Sequence, residues 1–314
     1  MGLRFDGRVA IITGAGGTPS LGRSYARLLA RLGGRVLVND LGVGPDGQGT
    51  APADAERVAA EIRAEGGEAI ADTGSVSTEE AARAIVRSAL DRWGRVDILI
   101  NNAGVLSFGL FDELSPADIR RMVEVHLLGT IWMCRAVWPH MREADYGRIV
   151  NTTSPGMLGS AYGSVYGAVK AGVYGLTRTL AIEGTRDGIR ANALAPFAAT
   201  VAWDVVGTPG KQELDSGFIA AMHPDNIAPI AAFLAHSACP FSGKNITAEP
   251  GHVSETYYRQ TTGYSAPEIT LDGLNANWRR VVNRHESHDI DDPGEAGFRV
   301  GDPAPARAAG PAHA

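Results

Sequence analysis

The chain has 314 residues, of which 44% are hydrophobic and 20% charged, and its formal net charge at pH 7 is -6. This composition is typical of a globular protein, and the lack of any Lys/Arg run argues against nucleic acid or an anionic membrane as a partner. The two cysteines, Cys134 and Cys239, show no metal-ligand spacing, which predicts no disulfide framework, no metal site and a reducing, cytoplasmic location. The N-terminus lacks the apolar core of a signal peptide, and no apolar run has the length of a membrane span.

Short β-branched segments alternate with longer amphipathic segments along most of the chain. The predicted strands are residues 9–12, 36–39, 68–73, 96–100, 148–152 and 245–247. The predicted helices are residues 22–33, 52–66, 78–93, 115–142, 160–186 and 224–237. This alternation predicts an α/β fold with a doubly wound parallel sheet and helices on both of its faces.

One domain is predicted for residues 1–255, because no linker or repeat divides this part of the chain. Residues 256–300 are interpreted as a C-terminal extension of the same domain, with a helix capped at Thr270. Residues 301–314 are rich in Pro, Ala and Gly, a composition that indicates a disordered tail.

A glycine-rich segment, TGAGGTPSLG at 13–22, connects the first predicted strand to the first helix. Small residues there let the backbone approach a pyrophosphate, and the helix N-terminus adds free N–H groups and the positive end of its dipole. The candidate cofactor-binding residues in this segment are Gly14, Gly16, Ser20, Leu21 and Gly22. The alternative is a glycine-rich turn without a ligand.

Asp40 ends the second strand in VLVND, about 20 residues after the glycine-rich segment. A carboxylate at this place would accept hydrogen bonds from the adenine ribose and would repel a 2′-phosphate. No Arg or Lys stands beside Asp40 to neutralise that phosphate, so NAD is favoured over NADP. The alternative is an Asp in an ordinary turn after a strand.

Together with NNAG at 101–104 and YGAVK at 166–170, the glycine-rich segment resembles the classical short-chain dehydrogenase/reductase family over roughly residues 5–253. The resemblance implies a Rossmann-type fold and hydride transfer between a nicotinamide cofactor and a small alcohol or ketone. Several stretches, including VNDLG, VHLLGT and TTGYSAPEITLDGLNANW, are similar to the (3R)-hydroxyacyl-CoA dehydrogenase unit of multifunctional β-oxidation enzymes. The expectation of a hydroxyacyl-CoA substrate depends on this second resemblance alone.

Tyr166 and Lys170 are an i, i+4 pair on one face of a predicted helix. A free phenol has a pKa of about 10, and a nearby ammonium would lower this value toward that of a useful base. Tyr166 would then take a proton from the alcohol while hydride leaves for the nicotinamide. The family resemblance implies that Lys170 also holds the nicotinamide ribose.

The hydroxyl that assists Tyr166 has two candidates. The family's serine usually lies thirteen residues before the tyrosine, which is the position of Thr153, whereas counting along the strand GRIVNTTS leads to Ser154. A shortened loop is easier to accommodate than a one-residue strand slip, which would turn every side chain to the other face. Ser154 is therefore predicted to be catalytic, with Thr153 as the alternative, and Ser160 and Ser164 are interpreted as loop or cap residues.

Several positions depart from the family's pattern. His126 stands where an Asn often supports a proton-relaying water, and it is predicted to be catalytic, a packed helix histidine being the alternative. Ser20 replaces the middle glycine of the loop, Gly74 replaces an Asp that contacts adenine, and Phe197 replaces a glycine. The remaining predicted cofactor contacts, by resemblance, are Ser75, Val76, Asn102, Ala103, Gly104, Pro196 and Thr200.

Residues 198–222 take the place of the family's mobile substrate loop. The apolar side chains there suit a lipophilic or acyl substrate, an ordinary packed loop being the alternative; they are Trp203, Val205, Val206 and Phe218. By resemblance, segments 115–142 and 160–186 imply a homodimer or homotetramer. The predicted function is an NAD-dependent dehydrogenase or ketoreductase acting on a 3-hydroxyacyl thioester, or else on a hydroxysteroid or another secondary alcohol. A rival of another class is a catalytically inactive NAD-binding regulator.

Overall fold

The structure, a computed structural model, describes residues 2–44, 51, 53–200 and 216–290. An eight-stranded sheet forms the centre of its larger unit, with the strand order 3-2-1-4-5-6-7-8. The strands are β1 (Val9–Thr13), β2 (Arg35–Asn39), β3 (Glu68–Asp72), β4 (Ile98–Asn101), β5 (Gly147–Thr152), β6 (Ile189–Pro196), β7 (Asn245–Glu249) and β8 (His252–Thr256). Strands β1 to β7 pair in parallel, so the predicted doubly wound sheet is confirmed.

Helices cover both faces of the sheet. They are α1 (Leu21–Arg31), α2 (Ala53–Ala64), α3 (Glu79–Trp93), α4 (Pro116–Met122), α5 (Gly129–Glu143), α6 (Ser164–Glu183), α7 (Ser216–Ala221) and α8 (Ala228–Ala235). Each face has its own hydrophobic core: α1, α2 and α8 supply one, and α3 and α5 supply the other. Alternate side chains of β1 point into opposite cores: Ala10 and Ile12 belong to the first core, and Val9 and Ile11 belong to the second.

Helix ends follow signals in the sequence. The side chains of Ser20, Thr78 and Ser115 accept hydrogen bonds from backbone amides in the first turns of α1, α3 and α4. Gly94 ends α3 in the left-handed conformation, with φ 71°, and donates its N–H to the Leu90 carbonyl. These caps satisfy helix-end groups that would otherwise lack partners.

Strand β6 was absent from the sequence prediction. Its segment, IRANALAP, contains one β-branched residue, yet β6 is largely buried and pairs with β5 and β7. The small side chains suit a strand that is covered on both faces. At such a position the available packing space, rather than β propensity, determines which residues fit. Strand β8 and the strands after it were also missed.

The predicted helix 115–142 contains an irregular segment. A single π-helical stretch, Val123–Leu128, joins α4 to α5, so the helical path is continuous but widened there. His126 lies in this stretch. Such π segments occur frequently at functional sites.

The described residues divide into two compact units between Glu255 and Thr256. The second unit contains β9 (Arg259–Thr261), α9 (Leu271–Val281) and β10 (Ser287–Asp289), with β10 antiparallel to β9. The predicted cap is confirmed, because the Thr270 side chain accepts from the Gly273 amide. That residues 256–300 extend the first domain stays a prediction, and the predicted tail 301–314 lies outside the described residues. Over the described ranges, no helix combines the length and the apolar character needed to cross a membrane.

Candidate active site

The predicted site residues meet at the carboxyl ends of neighbouring parallel strands. Gly14 follows β1, Asp40 follows β2, Asn102 follows β4 and Ser154 lies just beyond β5. The strand order reverses between β1 and β4, and ligands of open α/β sheets bind at such a switch point. The fold therefore gathers residues from distant parts of the sequence at the place where a nucleotide is expected.

The glycine-rich segment packs closely against the NNAG segment. Gly14 has φ 63°, and a Cβ there would lie 2.6 Å from the Ala103 Cα. A Cβ on Gly22 would lie 2.7 Å from the Asn102 amide nitrogen, which donates to the carbonyls of Thr13 and Gly14 at 3.0 and 2.8 Å. These glycines are thus required by backbone packing, which holds two predicted cofactor segments together. Ser20, which stands in place of a glycine, caps α1.

Both carboxylate oxygens of Asp40 accept backbone hydrogen bonds, from Gly16 at 2.6 Å and from Gly42 at 2.8 Å. These bonds fix the carboxylate at the end of β2 and leave it further lone pairs for hydroxyl groups. A cation from a neighbouring helix contacts the glycine-rich segment. Arg57 of α2 donates to the Gly16 carbonyl at 2.5 Å and is also paired with Glu61 at 3.1 Å. Neighbourhood in sequence does not reveal this arginine.

Ser154 and Thr153 point to different partners. Ser154 hydrogen-bonds the Tyr166 side chain, and its hydroxyl also accepts from the Gly156 amide at 3.1 Å. The Thr153 hydroxyl is buried and donates to the Asn245 side chain at 2.6 Å. This geometry agrees with Ser154 as the hydroxyl that works with Tyr166.

Near the N-terminal end of α6, Lys170 is buried and Tyr166 is half-buried. Burial raises the pKa of Tyr166, and the hydrogen bond from Ser154 opposes this shift. Burial also lowers the pKa of Lys170 to about 7. The Lys170 ammonium lies 5.8 Å from the centre of the Tyr166 ring and donates to the Thr152 carbonyl at 2.7 Å. The net direction for Tyr166 is opposite to the lowering expected from the sequence, because desolvation outweighs the hydrogen bond with Ser154.

His126 lies against Tyr166 with its ring edge-on, at 5.6 Å between ring centres. Its Nε2 is 2.6 Å from the Val105 carbonyl, whereas its buried Nδ1 has no hydrogen-bond partner among the described residues. Burial, followed by the charge of Lys170, lowers the pKa of His126 to about 3, so the ring is neutral at pH 7. A proton on Nε2, donated to Val105, leaves Nδ1 as an acceptor.

Gly104 makes room for this histidine. A Cβ on Gly104 would lie 2.5 Å from the His126 Cε1 and 3.2 Å from its Nδ1. The glycine of NNAG therefore has a packing reason here that the sequence motif alone did not reveal. The pairing of a glycine at 104 with an imidazole at 126 is visible only once both segments are placed in space.

The other predicted contacts lie in segments that follow strands of the sheet or end them. Ser75 bonds Ser77 through its hydroxyl at 2.8 Å, Val76 packs against Gly129, and Pro196 ends β6. Leu21 is the first residue of α1, and Thr200 is the last described residue before the gap at 201–215. Trp203, Val205, Val206 and Lys211 lie outside the described residues. Phe218 falls within α7, so the described end of the predicted loop 198–222 is helical.

A parallel sheet with a glycine-rich turn at its switch point and a Ser–Tyr–Lys set beside it defines a nucleotide-binding oxidoreductase. The model of the short chain dehydrogenase family matches residues 8–204. The chain belongs to the short-chain dehydrogenase/reductase family, and it is an oxidoreductase that acts on CH–OH donors.

The relatives include proteins that this chain covers almost completely and others that are much longer. A putative short-chain type dehydrogenase/reductase of Mycobacterium tuberculosis is 44% identical over 88% of this chain and 94% of its own length. Peroxisomal multifunctional enzyme type 2 of Mus musculus is 37% identical over 90% of this chain, which spans only 37% of the mouse enzyme. The (2S)-[(R)-hydroxy(phenyl)methyl]succinyl-CoA dehydrogenase subunit BbsD of Thauera aromatica is 37% identical over 73% of this chain and 89% of its own length.

A solved structure offers a further comparison. A 7 alpha-hydroxysteroid dehydrogenase complexed with NADH and 7-oxo glycochenodeoxycholic acid superposes with a TM-score of 0.70 and 30% identity. The match covers 79% of this chain and 95% of that one. Nicotinamide cofactors are the cofactors of this family.

Proposed function

We propose that this chain is an NAD-dependent dehydrogenase that interconverts a secondary alcohol and a ketone, with a 3-hydroxyacyl thioester as its substrate class. The observation that carries the proposal is the set of Ser154, Tyr166 and Lys170 at the carboxyl end of the sheet, in which Lys170 is buried and the other two residues are half-buried. The sequence similarity to hydroxyacyl-CoA dehydrogenase units and the name of the Thauera relative support the thioester.

The residues at the switch point fit a dinucleotide. Glycines occupy positions 14, 16 and 22, where the loop packs closely against other parts of the chain and a side chain would not fit. Helix α1 begins directly after this loop. The N-terminus of this eleven-residue helix provides a positive dipole end for a pyrophosphate. Asp40 would accept from the ribose hydroxyls and disfavour a 2′-phosphate. Bound NAD would supply the hydride acceptor for alcohol oxidation.

The proton is handled by side chains of this chain. Ser154 would orient the substrate oxygen through a hydrogen bond, and Tyr166 would take the alcohol proton in oxidation or donate one to the carbonyl in reduction. Lys170, held by the Thr152 carbonyl, would place its charge beside the phenolate and thereby stabilise it. His126 would accept a hydrogen bond at Nδ1 and take part in relaying the proton that Tyr166 gains or loses.

The resting protonation states favour one direction at neutral pH. Burial raises the pKa of Tyr166, so the phenol keeps its proton at pH 7 and is ready to donate it to a ketone. Oxidation needs the phenolate, which forms as the pH rises. The site is thus disposed toward reduction near neutrality and toward oxidation in alkaline solution.

A turnover screen tests the proposal. NADH absorbance is followed with 3-hydroxyacyl thioesters, hydroxysteroids and simple secondary alcohols, each with NAD and with NADP. We expect the highest kcat/KM for a hydroxyacyl thioester with NAD. A steroid with the highest value would instead favour the second candidate, which the likeness to the hydroxysteroid dehydrogenase supports. No turnover with any member would favour the inactive regulator.

We further propose a cytoplasmic homodimer or homotetramer. On α6, Ile182 is 54% exposed and a Cβ on Gly175 would meet no atom within 4 Å, which leaves space for another subunit. Light scattering after size-exclusion chromatography measures the mass. The mouse relative is named peroxisomal, so imaging of a tagged chain in its own cells decides the location.

A further inference from the structure

A groove opens one side chain away from Tyr166. Phe108 lies against Tyr166 with 5.5 Å between ring centres, and the next residues of its loop form one wall of the groove. Residues just before and at the start of α6 form the opposite wall. The cavity measures about 310 Å³, the small end of the range for ligand sites, and its lining includes Gly109, Leu110, Phe111, Ser160, Ala161 and Tyr162.

The groove presents apolar side chains to solvent. Phe111 is 74% exposed, Tyr162 57% and Leu110 50%. Exposed apolar clusters beside a site mark a surface that a ligand or partner covers. The described residues that line the groove carry no charge; their polar side-chain groups are hydroxyls, including that of Ser160. This lining suits a hydrocarbon chain and offers nothing to the phosphates of a nucleotide handle.

The wall formed by Tyr162 is held in a fixed conformation. Tyr162 has φ 64°, a left-handed conformation that residues with side chains rarely adopt, and its carbonyl accepts from the Gly109 amide at 3.0 Å. This hydrogen bond ties the two walls together. Strained backbone persists where its surroundings fix it, and such residues cluster at ligand sites.

We infer that this groove binds the alkyl tail of the substrate, so that Leu110, Phe111 and Tyr162 set the chain-length preference. The inference rests on the proposed function, since it places the reacting carbinol at Tyr166. The tail would extend from there past Phe108 into the groove. The thioester handle would leave the site in another direction.

The test uses a series of 3-hydroxyacyl thioesters with four to ten acyl carbons and one common short handle. With the wild-type chain, we expect kcat/KM to rise roughly 3- to 4-fold for each added methylene that becomes buried. Phe111→Ser should flatten this rise and lower kcat/KM for the longest tail roughly tenfold, while the four-carbon substrate changes little. Tyr162→Ser should act in the same direction.

Leu3→Ser is the matched control, because Leu3 is an exposed apolar residue, 46% accessible, outside the groove. It should leave the chain-length series unchanged. Identical slopes for wild type and Phe111→Ser would overturn the groove assignment even if every thioester is oxidised.

Failure of the proposed function is recognised separately, as absence of turnover for all tail lengths. In that case the groove is tested by calorimetry, which measures how tightly straight-chain 2-alkanols of increasing length bind to the NAD-loaded chain. Affinity that rises with alkanol length in wild type and not in Phe111→Ser supports it. Affinity independent of length overturns it.

Discussion

The cofactor end and the proton-transfer end of the site are built in different ways. Around Gly14, Gly22 and Asp40, backbone groups and missing side chains define the shape, and hydrogen bonds to amides fix the carboxylate. Around Tyr166, desolvation shifts the pKa of Tyr166, Lys170 and His126, and the charge of Lys170 adds to the shift of His126. The function of the cofactor end therefore depends on backbone conformation. The function of the proton-transfer end depends on electrostatics in a poorly solvated environment.

Tyr166→Phe should produce the largest effect, since it removes the proton donor and keeps the ring that contacts Phe108 and His126. We expect turnover to fall about 10²- to 10⁴-fold, the range of general acid–base catalysis. Stopped-flow and steady-state NADH measurements should show this loss with the Kd for NAD nearly unchanged. Tyr25→Phe is the matched control, because the buried Tyr25 hydroxyl has no hydrogen-bond partner among the described residues. Equal activity of Tyr166→Phe and wild type would show that the proton takes another route.

Ser154→Ala and Thr153→Val separate the two hydroxyls. We expect Ser154→Ala to lower kcat about 10²- to 10³-fold, as for loss of a hydrogen bond to a reacting oxygen. Thr153→Val should cost about 1–2 kcal/mol of unfolding free energy through the lost bond to Asn245, with activity nearly retained. Kinetics and denaturant unfolding of both variants measure this. The reverse pattern would mean that the loop after β5 is aligned wrongly with the family.

The pH profile tests whether buried charge governs the proton-transfer end. Because burial raises the pKa of Tyr166, oxidation should accelerate by up to about tenfold per pH unit between pH 7 and the phenol's pKa. Reduction should slow as the pH rises through that same pKa. Initial rates in both directions, at saturating cofactor, provide the measurement. Parallel profiles for the two directions would contradict Tyr166 as the shared proton carrier.

Asp40→Ser tests the cofactor end and should have the smallest effect. Loss of the carboxylate should change the ratio of NAD to NADP affinity roughly tenfold toward NADP. Fluorescence titration with NADH and NADPH measures both affinities. Arg57→Ala in the Asp40→Ser background should reverse part of the change if this guanidinium meets the added phosphate. Comparable binding of NADP and NAD by the wild-type chain would refute the role given to Asp40.

Much of the fold was predictable because hydrophobic periodicity reports burial. Strands β1, β2, β4 and β5 are β-branched and buried, and the sequence pattern placed them within a residue or two. β6 escaped because its alanines and single isoleucine carry no strand signal, although its position between β5 and β7 buries it. Its conformation depends on neighbours that a local window of sequence does not contain.

In the site, too, some features follow from local sequence and others depend on residues far apart in the chain. Glycines, Asp40, Tyr166 and Lys170 follow from motif spacing, since local chemistry requires them. The contact of Arg57 with Gly16, the fit of His126 beside Gly104 and the raised pKa of Tyr166 arise from packing between distant segments. No spacing rule supplies such information, because it depends on which helices face one another.

The π-helical stretch at Val123–Leu128 sets the rotational phase between α4 and α5. A wide turn of this kind holds one residue more than an α-helical turn, and one residue corresponds to about 100° of rotation. Deleting a single residue there would restore regular winding but turn one helix about its axis relative to the other. His126 and the buried face of α5 could then not both keep their present partners. An apparent irregularity is thus an angular adjustment that lets one continuous helical segment serve the catalytic site and the hydrophobic core together.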